Sequence, residues 1–364
     1  MYREINLNSE VIKGLIETSG FGEEEIAKKT KISLKSLEKG KLTISQLKRL
    51  AEVLKRPIAA FFSDEIPSFP AAPDYRLNRG KRINPEIFMA QRKLIYLLGK
   101  LKEMGIEKSG IPTIEPSISP FQLAAEFRDY LGIEVIKNQK PNVTLSKYKE
   151  IIEDRLKFLI IEYPLKPKKT KETDDVRAFS IYYSEIGGIV LNETDHPSVK
   201  LFSLFHEVCH LLKRNSGICS LEYEVEKEYE EESFCNRFAA EFLVPSYDIK
   251  KELQNYSILN KTILETVSDL SKIYGVSKHV ILLRLLYLNH LSTEEYYSLR
   301  AQLQEREIKY QFGRRNWEEV FKNRVGNLAI KEVKKRLQEN KLSFYEALNI
   351  LDVKTKYAEK FLYG

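Results

Sequence analysis

A chain of 364 residues has room for two or three domains, and 43% hydrophobic with 30% charged residues is the balance of a globular protein. No apolar run approaches the roughly 20 residues of a membrane span, the opening MYREINLNSE lacks the apolar stretch of a signal peptide, and three cysteines form no CxxC pair. The expectation is a cytoplasmic protein with reduced thiols and no membrane partner, whose net charge of +7 permits an acidic partner without demanding one.

Residues 1–65 read as short helices over 11–19, 23–30, 34–38 and 45–54, with apolar residues at helical spacing and Gly20, Gly22 and Gly40 between them. Ser45 is the expected cap of the last helix and Pro57 lies just beyond it. The strings EEEIAKKTKIS and LEKGKLTISQLKRLAEVLKRPIAAFF resemble the helix-turn-helix domain of XRE-type repressors, with Ile26, Ala27, Ile32, Leu47, Leu50 and Ala51 on buried faces. The helix that would read DNA is about one turn shorter than in that family, and reading needs its first residues to reach base edges. Glu23, Glu24 and Glu25 stand where phosphate contact favours Lys, Ser or bare amides, and 12 Lys and Arg against 10 Asp and Glu leave a net of only +2. DNA binding is therefore not favoured for this domain, and a protein-docking or purely structural role is the preferred reading.

Residues 66–118 read as a Pro-punctuated basic linker followed by a helix from Pro85 to Met104. Ser119-Pro120 opens another helix, which Gly132 stops after Leu131. Short β-branched and aromatic runs then predict strands over 133–136, 158–163, 179–183 and 189–191, the last two joined as a hairpin around Gly187-Gly188. The charged stretch LKPKKTKETDD between the second and third runs is expected to be a surface loop.

The run FSLFHEVCHLL holds two of the five histidines, His206 and His210, in the spacing HExxH. On a helix, positions i and i+4 lie one above the other, so both imidazoles can reach one metal ion, with Glu207 beside it as a base for water. Residues 195–198 offer caps and Pro197 a start for this helix, and Gly217 is its expected end. A catalytic zinc takes three protein ligands and keeps one position for water. Chemistry alone does not choose the third among many downstream acids. Glu232 is preferred because it heads the apolar run SFCNRFAAEFLVP, with Cys235, Asn236 and Ala239 on its face, which lets Asn236 hydrogen-bond a ligand histidine. Glu228, Glu230 and Glu231 are assigned to a solvated face.

FSLFHEVCHLL and ESFCNRFAAEFLVP, with FSIYYSEIGGIVLNETD upstream, resemble the ImmA/IrrE family of zinc metallopeptidases over roughly residues 120–250. The resemblance implies His206, His210 and Glu232 as ligands of one zinc ion and Glu207 as general base. Cys209 stands where that family often has glycine, and no ligand is lost. It further implies a protein substrate, such as an XRE-type repressor or antitoxin encoded nearby. Tyr182, Tyr183 and Tyr223 are available as donors to an oxyanion. The alternative is a DNA-binding regulator whose metallopeptidase-like domain senses a signal or partner.

The expected fold is mainly α with a small β-sheet (α+β), a zincin-like metallopeptidase core flanked by helical modules. The expected divisions are 1–65 (helix-turn-helix-like), 66–118 (linker and helix), 119–250 (metallopeptidase), 251–310 (a helix-turn-helix-shaped module) and 311–364 (a helical segment).

Overall fold

The computed structural model describes residues 4–63, 84–115, 117–165, 176–213, 218–220, 230–257, 261–305, 316–355, 357 and 362. The chain divides into two compact units, one of residues 1–93 with 164–175 and the other of residues 94–163 with 176–364. The architecture is mainly α with a two-stranded and a four-stranded sheet, the α+β class expected.

The first unit contains β1 (Glu4–Asn6), α1 (Ser9–Glu17), α2 (Glu23–Thr30), α3 (Leu34–Glu38), β2 (Lys41–Thr43), α4 (Ile44–Leu54) and a 3-10 turn over Ile58–Phe62. Val11, Ile12, Leu15, Ile26, Leu47, Leu50 and Phe61 form its core, while Ala27 is only half-buried. Thr43 caps α4 rather than Ser45: its hydroxyl accepts from the Gln46 amide and the Gln46 side chain accepts from the Thr43 amide, a reciprocal box that leaves Ser45 to bond the Thr43 hydroxyl. α3 has five residues and is followed, after Lys39, by Gly40, whose φ of +66° and approach to the Leu7 carbonyl exclude a Cβ. Glu23, Glu24 and Glu25 are all exposed at the start of α2.

α5 (Pro85–Glu103) crosses the division. The second unit continues with α6 (Pro120–Leu131), α7 (Pro141–Leu156), β3 (Leu159–Tyr163), β4 (Val176–Tyr183), β5 (Ile186–Asn192), α8 (Pro197–Leu212), β6 (Ile218–Ser220) and α9 (Glu230–Leu243). Then come α10 (Ser246–Ser257), α11 (Ile263–Tyr274), α12 (Lys278–Tyr287), α13 (Thr293–Glu305), α14 (Trp317–Val325), α15 (Asn327–Gln338) and α16 (Phe344–Leu351). The sheet order is β3-β5-β4-β6, with β3 parallel to β5 and the other pairs antiparallel.

Three sequence expectations need correction. Residues 133–136 form no strand; they follow the left-handed Gly132 cap of α6, remain partly exposed and line an open cleft. The hairpin turns at Ser184-Glu185, both at positive φ (48° and 70°), with Tyr183 paired to Ile186. Gly187 and Gly188 instead lie inside β5, where an added Cβ would fall 2.6 Å from the Phe158 ring and 2.8 Å from Leu94; they serve close packing, not the turn. Third, α7 was not expected at all. Lys149 and Glu153 sit on its buried face beside Leu145, Tyr148, Ile152 and Leu156, and these charges break the apolar stripe that marks a core helix. The linker's prolines at 67, 70 and 73, most of the 165–175 loop, Gly217 and Tyr223 lie outside the described residues.

Candidate metal centre

Helix α8 begins with Pro197 in its first turn, and the Nδ1 of His196 accepts the Ser198 amide at 3.2 Å as a cap within the expected 195–198 segment. Every residue from Leu201 to Leu212 is buried, because helices and sheet surround it. Phe205 stacks on Phe242 of α9 at 4.0 Å between centroids and meets Tyr148 of α7 edge-on at 4.9 Å. This aromatic packing fixes α8 against α9, the pair that carries the polar residues. His206, Glu207 and His210 are 1%, 0% and 2% exposed, so three polar groups reside in an apolar interior, where burial without partners is costly.

Each of these groups meets a partner or a lone-pair donor. His206 Nε2 and His210 Nε2 lie 3.1 Å apart, and the Glu232 carboxylate reaches them at 3.2 Å and 3.4 Å. Tetrahedral bonds of roughly 2.0–2.1 Å to one metal ion place donor atoms about 3.3 Å apart, so the three side chains already hold the edges of such a site. His206 Nδ1 lies 2.9 Å from Asn236 Oδ1, one turn on from Glu232. With Nδ1 donating to that amide oxygen, the Nε2 lone pair points at the centre. Among the described residues, His206, His210 and Glu232 form a group of metal-ligating side chains with donor atoms all within 4.8 Å.

Glu207 is held from the side of the sheet and interacts electrostatically with His206, His210 and Glu232. Its Oε2 accepts the Ser180 hydroxyl of β4 at 2.6 Å, and its Oε1 makes no hydrogen bond. Burial pushes the Glu207 carboxyl up, while His210, His206 and the Ser180 hydroxyl pull it down. For Glu232, burial also raises the carboxyl, but hydrogen bonds from His206 and His210 hold it below the ordinary carboxylate range. An acceptor-rich pocket of this kind suits a cation.

Residues 153–286 match the family model of the IrrE N-terminal-like domain, a peptidase family. The site therefore lies inside the segment that is similar to this peptidase family, and the matched segment contains His206, Glu207, His210, Glu232 and Asn236. Residues 1–65, with their helix-turn-helix resemblance, fall outside the IrrE N-terminal-like match. No curated protein and no solved structure gives a significant match.

Two neighbours of the site escaped the sequence reading. Ser180 stands in the run FSIYY and is fully buried; a small polar residue within an otherwise bulky strand was the available signal. Glu231, assigned to a solvated face, places its carboxylate 3.7 Å from His210 Nδ1. Of the oxyanion candidates, Tyr182 shares the face of β4 that carries Ser180 and packs on the core, whereas alternation turns Tyr183 to the other face. Cys209 and Cys235 are buried free thiols, and burial pushes Cys235 well up despite its contact with His210.

Proposed function

We propose that this chain is a zinc-dependent endopeptidase that cleaves one specific intracellular protein, in the class of XRE-type repressors or antitoxins. The observation that carries the reading is the Glu207 carboxylate, fastened at one oxygen, buried without a hydrogen bond at the other, and in electrostatic reach of the three converging ligand residues. A site kept only for structure has no need of that group. His206, His210 and Glu232 would hold the zinc, and Asn236 would orient His206 through Nδ1. Bound zinc supplies Lewis acidity, which makes a water acidic near neutrality. Glu207 Oε1 takes the proton of the attacking water and returns it to the leaving amine, while Ser180 keeps Oε2 in place. The five-residue α3 and the exposed acidic start of α2 support docking of a protein, rather than DNA, on the N-terminal unit.

The test co-expresses the chain with the neighbouring repressor. Wild type should cleave it, and Glu207→Gln should retain zinc by metal analysis while cleavage falls by about 10²–10⁴-fold. Equal cleavage by the variant would sink the proposal. A salt-sensitive shift of promoter DNA by the purified chain would instead favour the regulator reading.

A further inference from the structure

Between α6 and α7, residues 133–137 line an open cleft of about 850 Å³. Ile133, Val135 and Ile136 give this run the β-branched composition of a strand, yet no strand pairs with it among the described residues. No backbone N–H or C=O of residues 134–137 makes a hydrogen bond there either. The run is nevertheless held at both ends. Gly132 closes α6 at φ +61°, and the Ile133 amide donates to the Arg128 carbonyl at 3.2 Å. At the far end the Asn138 amide donates to the Ile273 carbonyl of α11 at 2.7 Å, and Lys137 Nζ reaches Asp248 at 2.6 Å and Glu252 at 2.9 Å on α10. Backbone that is already fixed and still unpaired loses less conformational entropy on pairing than a loose loop does.

The rest of the lining comes chiefly from α7. Val143, Lys147, Glu150, Ile151 and Asp154 recur every three or four positions, which is one stripe of the helix, and Val143 is 49% exposed. Among the described lining residues, Lys137, Lys147 and Arg155 balance Glu134, Glu150 and Asp154, so the cleft has no formal net charge. A nucleic acid gains little there, because its affinity grows with the phosphates neutralised. A compact apolar ligand leaves the row of backbone groups to water. An extended peptide answers both walls: its own N–H and C=O groups match the row, and every second side chain turns to one side.

We propose that residues 133–137 are a docking edge, and that the cleft binds an extended, uncharged segment of a partner protein by strand addition, with alternate side chains of that segment resting on Val143 and Ile151. The surface is separate from the metal centre, since none of His206, His210 and Glu232 lines it. It therefore stands whether or not the chain cleaves its partner.

The test selects binders from a bead-displayed library of capped decapeptides against the zinc-loaded full chain carrying Glu207→Gln, so that no peptide is cut, and measures them by isothermal titration. At least one should bind at one per chain and carry β-branched or aromatic residues at alternate positions. Methylating its backbone nitrogens one at a time should weaken binding about tenfold at every second position and much less between them, because only alternate amides face the edge. Val143→Asp, at an exposed position in the first turn of α7 where an acid suits the helix, should also weaken it about tenfold. Val135→Pro and Ile136→Pro each remove an amide that has no bond to lose, and since successive amides face opposite ways, only one of the two should abolish binding. Should a proline variant fail to fold, Val143→Asp and the methylation pattern carry the test. Absence of any enriched peptide, equal binding to Val143→Asp, or a methylation response without alternation overturns the proposal. Binding that survives Val143→Asp and vanishes with His210→Ala belongs to the metal centre and overturns it as well.

Discussion

Helix α8 serves two buried polar clusters, and they are opposites. Toward its C-terminal end, His206, His210 and Glu232 aim lone pairs at one point, with Glu207 beside them. Toward its N-terminal end, Lys200 joins Lys149 in aiming N–H bonds at one carboxylate, Glu162. The first cluster has acceptors to spare and calls for a cation; the second already holds its anion, the Glu162 carboxylate. Burial sharpens both demands, because an unmatched polar atom in the interior costs more than one in water. The balance of donors and acceptors thus separates two clusters that share one helix.

The contrast breaks most visibly at the metal ligands. His210→Ala or Glu232→Ala should reduce zinc affinity by more than the roughly 10–100-fold expected when an outer hydrogen bond is lost, which is the loss predicted for Asn236→Ala. Lys149→Met and Lys200→Met should leave zinc stoichiometry unchanged. Equilibrium dialysis with zinc measures all five proteins, and comparable zinc loss in the lysine variants would show that the clusters are one system.

At the cationic cluster the largest effect is on stability. Glu162→Gln leaves two buried ammonium groups facing a neutral amide and should cost about 3–5 kcal/mol in urea unfolding, as removal of one partner from a buried ion pair does. A cost near zero would mean that water already satisfies the lysines.

Much of α8 and its site was legible because the information is local. HExxH encodes its geometry within one helical turn, and Glu232 and Asn236 follow on the next helix. The caps at Ser119 and Gly132 were equally local. The Lys149, Glu162 and Lys200 cluster was not legible, since it joins α7, β3 and α8 and meets Asn323 across 174 residues. The same lysine disguised α7 itself, by interrupting the apolar face that identifies a helix. Gly187-Gly188 misled because a glycine pair signals a turn equally well when it marks a close approach, and only the positions of Phe158, Leu211 and Leu94 tell the two apart.

Glu153 gives the comparison a pH dependence. Its carboxyl titrates near 7 in the folded chain, pushed up by burial against the pull of Lys149, and near 4.5 when unfolded. Between those values the folded chain keeps a proton that the unfolded chain has lost, so stability falls as pH rises from about 4.5 to 7, by about 3 kcal/mol from this group. Glu162 has the reverse sign, adding stability above about 4.5 that is lost as pH falls toward 2. Glu153→Gln, which keeps an acceptor for the Ile160 and Leu328 amides, should flatten the slope between pH 5 and 7 in urea titrations at fixed ionic strength. A slope that persists would assign it to other groups.

The smallest effect expected is at Ser180, and it asks whether the acceptor-rich cluster is positioned or merely present. The Ser180 hydroxyl of β4 donates to Glu207 Oε2 at 2.6 Å from a fully buried position. Were this bond only a way of satisfying a buried hydroxyl, Ser180→Ala would change stability and leave hydrolysis alone. If it holds the carboxylate so that Oε1 meets the water, the same substitution should leave zinc content unchanged and slow cleavage about tenfold, the equivalent of roughly 1.4 kcal/mol for one hydrogen bond to a charged group. The double variant with Glu207→Gln decides between them. A positioning serine acts only through Glu207, so its loss should add nothing to the rate deficit of Glu207→Gln, whereas an independent contribution would add its full tenfold.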